Sequence, residues 1–202
     1  MDFIEVNSEI GQLDGVILHT PGIEIEQMTP ASIQEALYSD LLNLRIAQKE
    51  YSNFEGVLSK WTKTYQVVDL LEKVLDNNSV KAELLNKILL KENRQFLFAE
   101  LVSLPSKELA KFLIEGYPYV AGVHPKEFEQ GRYMLNPLYN LFFTRDASSS
   151  VYDQVLIHSM STDVRDRESY IMESIFKNFF GVSTINPKVV EGAHTEGGDV
   201  LI

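Results

Sequence analysis

Two periods of apolar residues alternate along the chain. Leu13-Asp-Gly-Val-Ile-Leu-His19 reads as a first strand after a Gly turn, and Pro21-Gly22 ends it. Thr29-Pro30-Ala-Ser32 opens a helix whose apolar face runs through Leu37, Leu41 and Leu44. Leu44, Ala47, Tyr51, Phe54, Leu58 and Trp61 then recur at spacings of three and four, which predicts one stripe along a helix of about 20 residues. The stripe covers too few heptads for a coiled coil, so packing against a sheet is expected, with Trp61 in the core. Thr64-Tyr-Gln-Val-Val68 is β-branched and aromatic and reads as a second strand. Strand, helix, strand is the grammar of an α/β unit, and the fold class expected is α/β.

From Asp69 to Gly116 the strand period is lost. Val67/Leu70/Leu71/Val74, Val80/Leu84/Ile88, Phe96/Leu97/Leu101 and Leu109/Phe112/Leu113 each repeat at helical spacing. Breaks fall at Asn77-Asn78-Ser79, near Glu92-Asn93 and at Pro105-Ser106, where Ser106 is expected to cap the next turn; Gly116 closes the set. Residues 69–116 therefore read as a helical insertion between an α/β unit over 1–68 and its resumption over 117–202. After a loop-rich passage, Leu141-Phe142-Phe143 reads as a strand leading to Asp146. Ser148-Ser149-Ser150 reads as a turn and Gln154–His158 as a further strand. A helix from about Val164 to Phe180 should bury Met172, Ile175, Phe176 and Phe179, Gly181 should end it, and Val182–Ile185 should extend again. Asp199-Val-Leu-Ile202 reads as the start of a buried strand, from which we expect a longer parent protein.

Composition narrows the function by exclusion. At 202 residues and 45% hydrophobic content the chain can bury a core. Its net charge of −11, with 29 acids against 18 bases and no basic cluster, argues against nucleic acid. No apolar run approaches the roughly 20 residues that span a bilayer, and the acidic N-terminus lacks signal-peptide features. With zero cysteines there is no disulfide, thiolate metal site or Cys nucleophile in this chain. A cytoplasmic protein without membrane contact is the expectation.

Two stretches carry candidate chemistry. In Asn140-Leu-Phe-Phe-Thr-Arg-Asp146, strand alternation would put Asn140 and Asp146 on one face, an amide and an acid at the end of an apolar strand. The alternative is a strand that simply stops at a polar turn. Glu196-Gly-Gly-Asp199 sets two acids around two glycines, which permit positive φ or close approach, so that the acids could converge on a cation. Its alternative is a Gly-Gly hairpin turn with solvated acids. Arg165 and Arg167 open the late helix, where cations oppose the dipole, and this favours an anion-binding task for one of them. The histidines, His19, His124, His158 and His194, are scattered without metal-ligand spacing, and no phosphate loop or nucleophile elbow is present. No cofactor or metal is expected.

Taken in order, Ser8-Glu-Ile-Gly-x-Leu, Val16-Ile-Leu-His-Thr-Pro-Gly22, Met28-Thr-Pro30, Leu37-Tyr-Ser-Asp40, Asn140-x-x-Phe-Thr-Arg-Asp146, Arg165-x-x-Glu168 and Glu196-Gly-Gly-Asp-Val200 resemble the arginine deiminases over essentially the whole chain. The resemblance implies a five-bladed pentein propeller of ββαβ modules, of which this chain would hold the N-terminal half, with 1–68 the first module, 69–116 an insertion and 117–202 further modules. It implies hydrolysis of L-arginine to L-citrulline and ammonia through a Cys-thiouronium intermediate. Asp146 would hold guanidinium nitrogens and Glu196 would be the second acid on the same cation, while Asn140 and Arg165 would bind the amino-acid end. Phe143 would pack on the alkyl stem and Leu37 would line the pocket.

The chain also departs from the family pattern. Its His-x-Asp motif and nucleophilic Cys lie further along than this sequence reaches, so the chain alone is expected to be inactive. Ala31-Ser32 follows Met-Thr-Pro where an Asn is expected, and Ala147 follows Asp146 where many members carry Pro. The alternatives are a non-catalytic arginine-binding or interaction module, and a relative acting on agmatine, on methylarginine or by amidino transfer. Unpaired strand edges near residue 202 offer a surface for homo-oligomerisation.

Overall fold

The computed structural model describes residues 4–29, 38–160, 162–186 and 194–202. Strand β1 (Gly15–Leu18) pairs in parallel with β2 (Lys63–Gln66), Gly15 opposite Lys63 and Leu18 opposite Gln66. A parallel pair needs a crossover, and the connection holds the short helix α1 (Ile23–Glu26) and α2 (Leu44–Leu58). Asn43 caps α2, its side chain accepting from the Ile46 N–H at 3.2 Å. The strand–helix–strand reading holds, but the packing expected for α2 does not. No α2 residue is fully buried, and Trp61, read as core, lies beyond the helix end and is 82% exposed. The sheet-facing side of α2 is joined largely through polar groups. Tyr51 accepts from the His19 N–H at 3.0 Å, Gln48 donates to Pro21 O at 3.0 Å, and Glu55 accepts from Gln66 at 2.9 Å. The Thr29–Ser32 helix start falls largely, and Leu37 wholly, outside the described residues.

Residues 67–115 are helical. Helices α3 (Val67–Leu75), α4 (Asn78–Lys91), α5 (Phe98–Ser103) and α6 (Ser106–Glu115) follow one another, with a 3-10 turn at Gln95–Leu97 before α5. Val67, Leu70, Leu71, Val74 and Leu75 line one face of α3 and are buried against α6 and the late helix. Asn77 caps α4 by accepting from the N–H groups of Ser79 and Val80. The cap position before α6 is Pro105 and Ser106 is the first helical residue, one place from the expectation, with no side-chain cap bond. At Gly116 φ is 95°, so only glycine turns the chain there without strain.

Strands β3 (Tyr117–Pro118) and β4 (Tyr133–Leu135) pair antiparallel and lead to the stretch read as a strand. Asn140–Phe143 is instead a tight turn: Leu141 N–H donates to Leu138 O, Phe143 N–H to Asn140 O and Asp146 N–H to Phe143 O. These bonds span three residues, so backbone groups are satisfied locally rather than by a neighbouring strand, and the turn runs into α7 (Thr144–Ala147). Ser148–Ser150, read as a turn, lies within strand β5 (Ser148–Val151), antiparallel to β6 (Gln154–Ile157). Helix α8 (Asp166–Asn178) and β7 (Thr184–Ile185) complete a ββαβ unit, with β7 parallel to β6. Met172, Ile175 and Phe176 are buried as expected, and Phe179 is 39% exposed at the helix end.

The described strands form small sheets of two, two and three strands beside the helical layer, a mixed α/β architecture. One core cluster joins α3, α4 and α6 to Leu135, Val155, Ile157 and Ile171, so the helical segment and the ββαβ unit share an interior. Arg167, 3% exposed, ties them further. It grips Glu92 at 2.8 and 2.9 Å and donates to Leu113 O and Asn136 O. Val200–Ile202 is not a buried strand: Leu201 is 89% exposed and the segment has no ladder partner among the described residues. No described helix is long and apolar enough to cross a membrane.

Candidate active site

Three segments distant in sequence meet around one guanidinium. Arg165 closes a 3-10 turn before α8 and is 4% exposed. Its Nη2 donates to Asp146 Oδ2 at 3.1 Å, its Nη1 to Glu196 Oε2 at 3.5 Å, and its Nε and Nη2 to Glu168 at 2.9 to 3.3 Å. Glu168 lies one helical turn further on, so the Arg-x-x-Glu spacing alone delivers that pair. Asp146 is aimed by α7, which Thr144 pins to β1 by donating to Ile17 O at 2.9 Å.

The Glu196 turn is a capped 3-10 turn, not a hairpin. Glu196 N–H donates to Asp199 Oδ2 at 2.9 Å and Asp199 N–H is received in return by the Glu196 side chain. Asp199 thus shapes the turn, leaving Glu196 as the acid that reaches the cluster. Close approach explains Gly197. A Cβ there would stand 2.0 Å from Arg145 O, nearer than any side chain tolerates. Behind the turn, Thr195 N–H donates to Ser159 O at 3.1 Å. Thr195 Oγ1 lies 3.2 Å from His158 Nδ1, whose Nε2 is 2.7 Å from Ser149 Oγ.

One guanidinium faces three carboxylates, of which Glu168 is the most deeply buried. Burial pushes the Glu168 carboxyl up to about 7, against the pull of Arg165, and Asp146 and Glu196 add to the rise. Burial works against the Arg165 charge, but Glu168 and Asp146 outweigh it and the net shift is upward. Burial holds the His158 imidazole below its ordinary value, which favours the neutral ring. Tyr38 sits beside the cluster; burial and the Glu168 charge raise its phenol, whose O–H donates to Tyr139 O at 3.1 Å.

Of the residues singled out from the sequence, Asp146, Glu196 and Arg165 come together. Asn140 is buried and Phe143 is 47% exposed, both in the turn leading into α7, with the Phe142 and Phe143 rings 4.2 Å apart. Leu37 lies outside the described residues. Glu168 is the acid that sequence reasoning missed as a site residue, although its spacing from Arg165 marked it. Arg145 lies within the Phe-Thr-Arg-Asp motif, but no local signal gives its role, since its partners Glu9, Gly197 and Val200 are remote; His158 reads only as the end of a strand. Among the described residues no cluster of acids and histidines could hold a metal.

The structure thus gathers three carboxylates on one guanidinium in a mixed α/β fold. The family model for arginine deiminase matches residues 34–202. The arginine deiminase of Metamycoplasma hominis is 32% identical over 219 residues, covering 98% of this chain and 51% of that protein. That of Metamycoplasma arthritidis is 34% identical over 220 residues, and that of Oenococcus oeni 33% over 220, with 51% and 53% of those proteins covered. The chain belongs to the arginine deiminase family and spans about half the length of the curated relatives it matches.

Proposed function

We propose that this chain supplies the guanidinium-holding part of a hydrolase that converts L-arginine and water to L-citrulline and ammonia. The observation that carries the reading is the meeting of Asp146 and Glu196, 50 positions apart in sequence, on a single guanidinium, that of Arg165. In turnover the substrate guanidinium takes this place. Asp146 holds two of its nitrogens and Glu196 a third, which fixes the central carbon for attack. Arg165 stays paired with Glu168 and turns its outer N–H groups to the substrate carboxylate, joined by Asn140. Phe143, half-exposed beside Asp146, packs on the alkyl stem, and Leu37 closes the pocket.

The nucleophile is the family's Cys thiolate, which the zero cysteines of this chain cannot supply. It adds to the guanidinium carbon and ammonia leaves; water then adds to the thiouronium carbon and citrulline departs as the thiolate is restored. The chain by itself is inactive. We read the β5–β6–α8–β7 unit as one module of a pentein propeller, residues 1–68 as another and 69–116 as an insertion. Cytoplasmic residence and homo-oligomerisation belong to the same reading.

The test is Asp146→Asn in the full-length protein with arginine as substrate. Loss of one acid from the pair holding the reacting group should lower kcat/KM by about three powers of ten or more. Near-normal turnover would sink the role of Asp146.

A further inference from the structure

Besides the Arg165 guanidinium that Asp146 and Glu196 share, a second arginine joins the segments that carry them. Arg145 precedes Asp146 on α7. Its Nε donates to Gly197 O at 3.2 Å and its Nη2 to Val200 O at 2.9 Å, which grips the far side of the Glu196 turn. The other face of its fork is taken by Glu9, Nη1 to Oε2 at 3.2 Å and Nη2 to Oε1 at 2.7 Å. Its own carbonyl abuts Gly197, so the main chain and the side chain of one residue hold the same turn. The capping box fixes the turn internally, and Thr195 is tied to Ser159 and His158. Of those bonds, the one to His158 reaches the helix that carries Asp146 only at one remove, through the His158 N–H on Ala147 O.

We propose that Arg145, braced by Glu9, is a positioning residue that locks the Glu196 turn to the Asp146 helix and so sets the distance between the two carboxylates. This rests on the reading of Asp146 and Glu196 as the holders of a substrate guanidinium. The task needs a planar fork with several fixed donors. A lysine ammonium presents one compact charge and cannot span two carbonyls and a bidentate carboxylate together. Once released, the turn loses its outside brace and opens more often, while Glu196 keeps its charge. A cation is still attracted, but the guanidinium carbon is no longer held in line, and a misplacement of about 1 Å is enough to lower a rate about 100-fold.

The experiment uses Arg145→Lys and Glu9→Gln in the full-length protein with two readouts. The first is hydrogen exchange at the Asp199 and Val200 amides, which donate to Glu196 O and Gly197 O. Exchange there should quicken about tenfold in Arg145→Lys, with α8 unchanged. The second is steady-state turnover of arginine. The expected result is a kcat lower by about 10- to 100-fold with KM changed less than about threefold, and a smaller effect of the same kind in Glu9→Gln. Unchanged exchange would overturn the proposal, and so would a loosened turn with unchanged kcat. Faster exchange throughout α8 would overturn it too, because Arg145 would then support the whole fold. If the unmodified protein turned over no guanidino compound, the reading of the site would fail, and the exchange readout alone would decide the clamp.

Discussion

Gly197 and Gly198 are adjacent and look interchangeable in sequence, yet the structure separates them. A Cβ at Gly197 would lie 2.0 Å from Arg145 O, 2.6 Å from Arg145 C and 2.7 Å from Arg145 Cγ, while at Gly198 it would meet nothing within 4 Å. Two of the three obstacles are backbone, so no rotamer change relieves them. Restoring ordinary contact by sliding the turn needs a shift of about 1.4 Å, from 2.0 to 3.4 Å. That shift exceeds the tolerance of the Arg145 bonds to Gly197 O and Val200 O, so the cheaper response is to release them. Each is worth about 1 kcal/mol net, less here because the Arg145 side chain is half-exposed. Gly197→Ala should therefore destabilise by about 1 to 2 kcal/mol, inside the range for overpacking. Gly198 has no positive φ, so Gly198→Ala should be neutral or stabilise by up to about 1 kcal/mol through the unfolded chain. Urea midpoints with matched slopes would measure both. Equal losses in the two variants would refute close approach as the cause and assign the effect to lost glycine flexibility.

Glu168 binds its proton more tightly folded than unfolded. Its contribution is full below pH 4.5, falls as pH rises towards 7 and is flat above, with a slope of at most about 1.4 kcal/mol per pH unit. His158, lowered by burial, acts in the opposite sense below 6.5, so the diagnostic is the difference between the unmodified protein and Glu168→Gln in urea midpoints across this window. A Glu168→Gln variant with the same pH profile would refute the assignment. Arg167→Ala leaves Glu92 and two carbonyls without their donor where the helical segment meets α8, and should cost about 3 kcal/mol or more in the same assay. The single tryptophan, Trp61, should be quenched by acrylamide nearly as well folded as unfolded, and strong shielding in this chain would contradict its exposed position.

Local rules carried the reading furthest where one element sufficed. The α3 stripe, the Asn77 break and the Gly116 and Gly181 ends were legible because burial period, capping and positive φ act within a few residues. Trp61 escapes the pattern because period shows that a helix has two faces but not what covers either. Asn140–Phe143 departs from the strand pattern because bonds spanning three residues satisfy its backbone locally, although an apolar aromatic run suits a strand. Ser148–Ser150 departs from its turn reading the other way, since its pairing with β6 outweighs serine's preference for turns. In the site, Asp146 and Glu196 stood out as acids beside special backbone. That they share a cation, and that Arg145 rather than a hairpin fixes their spacing, depends on contacts across 50 or more positions that no window of sequence contains.

The charge of the cluster leads to a last prediction. Arg165 meets Asp146, Glu168 and Glu196, and the Glu168 carboxyl is raised first by burial and further by the charges of Asp146 and Glu196. Asp146 and Glu196 are its solvent-facing members, with side chains 28% and 30% exposed, whereas that of Glu168 is 2% exposed. A second guanidinium entering from solvent should engage the outer pair and stabilise the charged form of the inner acid, lowering its titration point. Binding and proton loss are then linked, and affinity should rise as pH increases from 4.5 towards 7. Methylguanidinium at millimolar concentration, with the Glu168 carboxyl carbon followed by NMR, would show this as a titration displaced to lower pH, absent in Asp146→Asn. An unmoved titration, or one displaced upward, would mean that the outer acids do not receive a cation in electrical contact with Glu168, and the guanidinium-holding reading of the cluster would fall with it.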